Sequence, residues 1–302
     1  MTAPSAQGRA LAAGLLLALL WGASFSIQKA AYTAMGAAPF LFCRAGLMAA
    51  LALALLALSR RPLWPRLDAS EWRLLLVATL LGQLAHISLV TFGIHWSTPF
   101  SSAVIMACGP VITLVLLRLL HGVRLRPPQV LGVGVALAGV LLFLADKLMK
   151  TELRASGGDL LMLLGTAVFS LYTIRVVPLV RRHGGTQIMC WTTLLAAPFM
   201  MAGTGAQFAQ APLAQLAPGI WLAVAWTVVV SAFAGWLIWS WINVVRGVAR
   251  TAPLLYLVPP VAGVIGWLVM GETLGPWKIA GGVVALAGVA LAQWAGPSAV
   301  VR

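Results

Sequence analysis

Long apolar stretches, each close to the length needed to cross a bilayer, follow one another from end to end of this 302-residue chain. Short breaks rich in glycine, proline or arginine separate them, and no break leaves room for a soluble domain. The pattern predicts ten membrane-spanning helices, at roughly 10–32, 38–58, 72–94, 99–120, 128–145, 158–178, 186–204, 217–243, 250–270 and 277–295. The expected fold class is an all-α integral membrane protein.

The second half of the chain repeats part of the first. The segment GVRLRPPQVLGVGVALAGVLL that begins at Gly122 aligns with GETLGPWKIAGGVVALAGVAL, which begins 149 residues later at Gly271. At the same offset Pro110 falls on Pro259. Each half holds five helices, an odd number, so equivalent helices cross in opposite directions. We therefore expect two inverted five-helix repeats, residues 1–150 with helices 1–5 and residues 151–302 with helices 6–10.

Composition and charge support a membrane protein and orient it. Hydrophobic residues make up 61% of the chain and charged residues only 9%, against about 25% charged in soluble domains. The net charge of +14 follows the predicted topology, because 14 of the 20 basic residues fall on the side of the N-terminus. This positive-inside bias predicts that both termini are cytoplasmic, and it leaves no reason to expect a nucleic-acid partner. We expect a multi-pass protein of a cytoplasmic membrane.

Polar side chains inside the hydrocarbon are costly unless they face protein or a water-filled cavity. Such residues, with aromatic and sulfur-containing neighbours, form the predicted substrate-binding set: Trp21, Ser24, Gln83, His86, Ser102, Met106, Ser170, Thr227, Ser231 and Tyr256. The alternatives are that Trp21 fills the bundle core, that His86 is a satisfied structural histidine, and that the hydroxyl groups bond their own helix backbone. As a functional group, His86 is a candidate to bind a carboxylate or to relay a proton.

Two further groups of residues are candidates for gating. Proline removes a backbone hydrogen bond, so Pro110 and the Pro259–Pro260 pair predict kinks at matching places in the two halves. Arg44 lies inside helix 2 and is a candidate either to snorkel to the surface or to pair with Glu272 in an outer gate. The small-residue faces of helices 5 and 10 predict scaffold packing and offer a possible dimerisation face.

Several classes of chemistry find no support. No Asp or Glu falls near the middle of a predicted helix, and no P-loop, HExxH or GxSxG motif is present. The three cysteines lie singly inside predicted helices, without the spacing of a metal or disulfide framework. The sequence thus predicts no enzyme activity, no cofactor and no metal site.

The chain resembles the EamA-type members of the drug/metabolite transporter superfamily over nearly its whole length. The residues that carry the resemblance are Leu20-Trp21-Gly22-Ala23-Ser24-Phe25, Arg44, and Gly271-Glu272-Thr273-Leu274 followed by Gly281 and Ala287-Gly288. Within that superfamily it is most similar to the YddG-like aromatic amino acid exporters. The resemblance implies ten helices and efflux of amino acids such as phenylalanine, tyrosine or tryptophan.

The leading hypothesis is a secondary exporter of amino acids, aromatic ones in particular, and related small metabolites, which works by alternating access in the lipid bilayer. The alternatives are an exporter or permease for another metabolite or a lipophilic drug, and a non-transporting membrane scaffold subunit. A monomer and a homodimer both remain open, as do proton-coupled and facilitative transport.

Overall fold

The computed structural model describes residues 4–59, 61–149, 153–246 and 252–294. Ten helical spans, which we name α1 to α10, follow in order: α1 Pro4–Met35, α2 Ala37–Leu58, α3 Ala69–Trp96, α4 Pro99–His121, α5 Pro127–Met149, α6 Leu153–His183, α7 Gly185–Gln210, α8 at 218–246, α9 Val258–Met270 and α10 Pro276–Trp294. Short 3₁₀ turns precede α8 and α9. Within these described ranges the chain forms no β-strand.

The predicted all-α membrane architecture is confirmed. Eight of the helices are long and apolar enough to cross a bilayer, and α5 and α9 contribute shorter apolar helices. Large apolar side chains cover the outside of the bundle: Leu164, Phe199, Leu222 and Trp267 are 50–71% exposed. Apolar cover of this extent is expected where the surface meets lipid.

Local signals in the sequence explain where several helices begin and end. The Asp68 side chain accepts bonds from the amides of Ser70 and Glu71, and the Glu71 carboxylate accepts from the Asp68 amide, which completes a capping box at the start of α3. Gly122 and Gly271 end α4 and α9 in the left-handed region, with φ of 64° and 63°. Since glycine adopts this conformation without a steric penalty, the repeated glycines end equivalent helices in the same way.

The helices pack in pairs that the internal repeat relates. The helix α2 packs on its equivalent α7, and α5 packs on its equivalent α10. Around these pairs α1 packs on α8 and α9, while α6 packs on α3 and α4. The main contacts of α1 therefore have counterparts at α6. The first helix of each repeat thus packs on the third and fourth helices of the other repeat, as expected for two inverted five-helix repeats. The expected repeat architecture is confirmed.

The repeated hairpin helices face each other through their glycines. A Cβ placed on Gly132, near the start of α5, would lie 2.7 Å from the carbonyl oxygen of Gly288, near the end of α10. A Cβ on Gly139, two turns further along α5, would lie 2.7 Å from the carbonyl oxygen of Gly281, near the start of α10. The two helices are therefore antiparallel. Their small-residue faces, considered from sequence for a dimer contact, are occupied within the chain.

Candidate functional site

A π-helical segment interrupts the same helix in each repeat. In α3 it covers Thr79–Ala85, and in α8 it covers Trp226–Ala234. At the 149-residue offset of the repeat, 79–85 corresponds to 228–234. A π turn inserts an extra residue into the helix, leaves the i→i−4 ladder and often accompanies functional positions. The hydrophobic pattern carries no signal for it, so sequence analysis missed both segments.

Polar atoms of α1 and α8 meet at the second π segment. The Trp21 indole N–H donates to the Ser231 carbonyl oxygen at 3.0 Å. The Trp226 indole donates to the Ser24 hydroxyl at 3.2 Å, and that hydroxyl donates to the Leu20 carbonyl at 2.7 Å. The Trp21 and Trp239 rings lie 5.6 Å apart. The face of α1 that carries Trp21 and Ser24 is thus turned toward α8. We name Trp21, Ser24, Trp226 and Ser231 the α1–α8 cluster.

An aromatic row lies beside the first π segment. His86 Nδ1 lies 2.9 Å from the Gly165 carbonyl oxygen, and since a carbonyl only accepts, Nδ1 carries the proton. The neutral ring then presents Nε2 as an acceptor. The His86 ring lies 4.6 Å from Phe169, whose ring stacks at 5.7 Å on Tyr172. We name these three residues the α3–α6 aromatic row.

The helix α4 breaks at its centre, where the sequence predicted a kink. Its first segment ends at Ala107 and the second begins at Gly109, with Pro110 in its first turn. The Ser170 hydroxyl donates to the Gly109 carbonyl at 3.1 Å, so α6 satisfies an oxygen at the break. Pro259 occupies the first turn of α9 in the same way, after a 3₁₀ turn. Prolines here start new helical segments, where their missing N–H costs little.

The remaining predicted site residues fall in different surroundings. Met106 packs with Trp21 against one hydrophobic core cluster. Ser102 is fully buried, and its hydroxyl has no hydrogen-bond partner among the described residues. Thr227 donates to the carbonyl of its own helix, the alternative considered from sequence, and Gln83 is half-buried.

Tyr256 lies away from the α1–α8 cluster. Its hydroxyl donates to Gln293 Oε1 at 2.5 Å, and its ring packs on the core cluster formed by α4, α5 and α10. Of the proline pair, Pro259 is buried and Pro260 is exposed. Tyr256 therefore joins α9 to α10, and the sequence grouped it with residues that the fold places elsewhere.

The pairing of Arg44 with Glu272 is not formed. Glu272 lies 2.6 Å from Lys278 Nζ, and its other oxygen accepts from the Phe100 amide at 3.2 Å. Lys278 begins α10 and Glu272 follows α9, so the turn between these helices brings the two charges together and ties them to the start of α4. In the first repeat the equivalent positions hold Val123 and Gln129. Arg44 makes no salt bridge with a described residue.

Sequence analysis also missed a polar network at the same end of the bundle. Lys29 Nζ donates to the Ser97 carbonyl at 2.7 Å and also to the His95 carbonyl. The Ser97 hydroxyl bonds to the fully buried Asp159. Together with Glu272, these contacts link α1, α3, α4, α6 and α9 where their loops meet. The sequence does carry a signal for this network, since the charged residues Lys29 and Asp159 fall within predicted apolar helices.

At the opposite, arginine-rich end a second network joins α3 to α6. The carboxylate of Glu71 lies 2.9 Å from His183 Nε2 and 2.9 Å from Arg182 Nη1. Both partners belong to the last turn of α6, whereas Glu71 belongs to the first turn of α3. Polar contacts therefore join helices at both ends of the described bundle, and the α1–α8 cluster and the α3–α6 aromatic row lie between these ends.

Open cavities lie at the surface. One of about 370 Å³ is a lateral apolar groove where α2, α7 and α8 meet, and it is lined by Phe42, Cys43, Gly46, Leu47, Phe208, Trp221, Val224 and Ala225. Another lies at the turn between α9 and α10 around Glu272. In the described part of the chain, no group of three or more His, Cys, Asp or Glu side chains is placed to hold a metal ion.

Comparison with known proteins agrees with this architecture. A crystal structure of a protein that is 16% identical matches with a TM-score of 0.63, over 95% of this chain and 97% of the other, which concerns the fold alone. An uncharacterized transporter of Bacillus subtilis (strain 168), YyaM, is 25% identical over 167 residues, and this match spans 55% of each protein. The model of the EamA-like transporter family matches residues 8–145 and again residues 156–294. The chain, with one match in each repeat, belongs to the EamA-like transporter family.

Proposed function

We propose that this membrane transporter exports amino acids, aromatic ones in particular, together with related small metabolites. The observation that carries the proposal is the pairing of aromatic and polar groups beside both π segments, in the α1–α8 cluster and in the α3–α6 aromatic row. Aromatic walls accept an aromatic side chain by offset or edge contacts. Hydroxyl groups, indole N–H groups and an imidazole provide partners for the amino and carboxylate groups.

The inverted repeats support an alternating-access mechanism. Two similar units of opposite orientation have exchangeable conformations, so rocking one against the other opens a central site to each side in turn. The segment breaks before Pro110 and Pro259 occupy equivalent positions and are the proposed hinges. The networks around Lys29 and Glu272 are the proposed gate at one end. Pro260, which is exposed, is the least suited of the proposed hinge residues.

The proposed location is the inner (cytoplasmic) membrane of a bacterium, with both termini in the cytoplasm. The support is the excess of arginine at the end of the bundle where α1 begins. Whether transport is driven by protons depends on His86, which has one nitrogen engaged by Gly165. Facilitative transport and proton-coupled transport remain the two forms of the proposal.

The test is uptake of labelled phenylalanine, tyrosine and tryptophan into proteoliposomes that contain the purified protein, with and without a pH gradient. We expect uptake above that of protein-free vesicles, and loss of most uptake in Trp21→Ala and His86→Ala. Gly219→Ala is a matched control, because a Cβ there meets no atom within 4 Å. Absence of uptake for every amino acid would overturn the substrate assignment, and accumulation unaffected by the gradient would exclude proton coupling.

Cysteines introduced at positions 24, 86 and 170 separate transport from a scaffold role. A transporter that opens a central path exposes these positions to a membrane-impermeant thiol reagent, whereas a scaffold with a dry core protects them. The native cysteines are free, and Cys43 is half-buried, so the experiment starts from a variant without native cysteines.

A further inference from the structure

We infer that Arg44 forms a subsite for a carboxylate in the interior of the bundle, between α1, α2 and α3. This inference rests on the proposed function and extends it, because it states which part of the substrate is recognised and where. A carboxylate subsite favours anionic and zwitterionic substrates over cationic drugs.

The position of Arg44 along α2 places it inside the apolar span. Arg44 lies seven residues after the first residue of α2, Ala37, which is about 10 Å at 1.5 Å per residue. Its neighbours one turn away on the same face, Phe40 and Met48, are both buried. This face of α2 is therefore turned into the protein, and Arg44 is directed away from lipid.

The surface is not within easy reach of the guanidinium. Helical side chains lean toward the N-terminus, so Arg44 leans toward Phe40. The Phe40 ring packs edge-on against Tyr32, with ring centres 4.6 Å apart, and both residues are fully buried. This aromatic pair occupies the space along α2 between Arg44 and the nearer end of the bundle. Snorkelling, the alternative considered from sequence, is therefore opposed by the packing.

Arg44 carries a charge that the described protein leaves uncompensated. The described acids have other contacts: Glu272 with Lys278, Asp159 with Ser97, and Asp68 and Glu71 with Arg182. Arg44 is half-buried, whereas Phe40, Ala45 and Met48 around it are buried, so part of its side chain stays accessible. An unpaired intramembrane charge is expensive, and an anion that reaches the guanidinium removes much of that cost.

The surrounding groups suit a carboxylate. Tyr32 lies beside the Arg44 face of α2, because its ring packs on Phe40, one turn before Arg44. The Tyr32 hydroxyl donates to Gln28 Oε1 at 2.8 Å, which leaves the amide N–H₂ of Gln28 as a donor. A planar guanidinium binds the two oxygens of a carboxylate together. The α3–α6 aromatic row, which begins at His86, is the proposed wall for the substrate side chain.

The test is binding of two probes that differ in their charged group. Calorimetry measures the affinity of 3-phenylpropionate, which has a carboxylate and no amine, and of phenethylamine, which has an amine and no carboxylate. The full-length protein is purified in detergent without added phospholipid. We expect the carboxylate to bind at least about 10-fold more tightly than the amine, since hydrogen bonds to charged groups contribute about 1.5–3 kcal/mol.

The variants Arg44→Gln, Arg44→Lys and Arg124→Gln separate binding from folding. Arg44→Gln should lower the affinity for 3-phenylpropionate by about 10- to 100-fold and leave the affinity for phenethylamine unchanged. Arg44→Lys keeps the charge but not the planar guanidinium. Its affinity for 3-phenylpropionate should lie between those of the unmodified protein and Arg44→Gln. Arg124 is exposed in the turn after α4, and Arg124→Gln should match the unmodified protein. Equal affinity for the two probes, no binding of either, or an unchanged affinity in Arg44→Gln would overturn the inference.

Two further measurements separate the sources of the anion and the two proposals. If added phosphatidylglycerol displaces 3-phenylpropionate from the unmodified protein but not from Arg44→Gln, the site binds a lipid phosphate and the substrate assignment is wrong. If carboxylate binding depends on Arg44 while no amino acid enters proteoliposomes, the subsite stands and the export of amino acids falls. If amino acids are transported equally by Arg44→Gln, the transport function stands and the subsite falls.

Discussion

Gly139 and Gly288 occupy equivalent positions of the two repeats, and each lies against the backbone of the helix that carries the other. A Cβ on Gly139 would lie 2.7 Å from the Gly281 carbonyl oxygen, and a Cβ on Gly288 would lie 2.7 Å from the Gly132 carbonyl oxygen. Gly132 and Gly281 are themselves equivalent, 149 residues apart. The two contacts, Gly139 with Gly281 and Gly288 with Gly132, thus have the same geometry, as expected for two repeats related by a two-fold axis.

Gly139→Ala and Gly288→Ala should each destabilise the protein by about 1–3 kcal/mol, because the new methyl group meets backbone that has no rotamer to change. The measurement is thermal unfolding of the purified protein in detergent. Gly134→Ala is the matched control on α5, since its Cβ meets no atom within 4 Å. A methyl group is otherwise favourable in a helix, so Gly134→Ala should be neutral or slightly stabilising. Equal unfolding temperatures for Gly139→Ala and Gly134→Ala would contradict this packing.

Gly235→Ala should displace the Trp21 indole, because a Cβ at Gly235 would lie 2.7 Å from Trp21 Nε1. The bond from that indole to the Ser231 carbonyl would be lost, and we expect both lower stability and lower transport. Trp21→Phe leaves a smaller ring with more room for the new methyl group. The double variant that combines Trp21→Phe with Gly235→Ala should therefore lose less stability than the sum of the two single changes. Unfolding temperatures of the four proteins measure the coupling, and strictly additive effects would show that the two residues do not touch.

Glu272→Val and Lys278→Gln should each cost about 3–5 kcal/mol, because each leaves one charge of a buried pair without its partner. The double variant installs the residues found at the equivalent positions of the first repeat, Val123 and Gln129. We expect it to recover most of the lost stability, since it buries no unpaired charge. Thermal unfolding of all three variants is the measurement, and a double variant less stable than both singles would refute the explanation.

The start of α3 should loosen in acid through Asp68. The Ser70 hydroxyl and the Glu71 amide hold the pKa of Asp68 below its usual value of 3.8. A carboxyl whose pKa is lowered by folding contributes its full stabilisation above the usual value, and loses it as the pH falls through the lowered value. The protection of the Ser70 amide, which is its exchange rate compared with the intrinsic rate at the same pH, should therefore fall below about pH 4.

The control for Asp68 is Asp68→Asn. Asparagine accepts the same capping bonds without a titrating charge, so the protection of the Ser70 amide in this variant should not fall in acid. In Asp68→Ala the protection of this amide should be low at every pH. If the unmodified protein and Asp68→Asn respond equally to acid, the capping carboxylate is not the cause.

Periodicity and charge were sufficient for the architecture because bilayer thickness sets helix length and the charge bias sets direction. The prolines also predicted the segment breaks in α4 and α9, since proline cannot continue the hydrogen-bond ladder. The grouping of site residues was less complete. Trp21 and Ser24 lie together in the α1–α8 cluster, whereas Tyr256 lies with Gln293 on the side of α10.

The sequence by itself determined that the chain is a ten-helix membrane protein with a duplicated hairpin, because apolar length, charge position and repeated letters are local properties. Only the tertiary structure decided that Glu272 pairs with Lys278, that Trp21 packs over Gly235, and that π segments adjoin the candidate site. It also decided that Arg44 faces the interior without an acidic partner among the described residues. Each of these depends on which helix faces lie together, and residues distant along the chain set that arrangement.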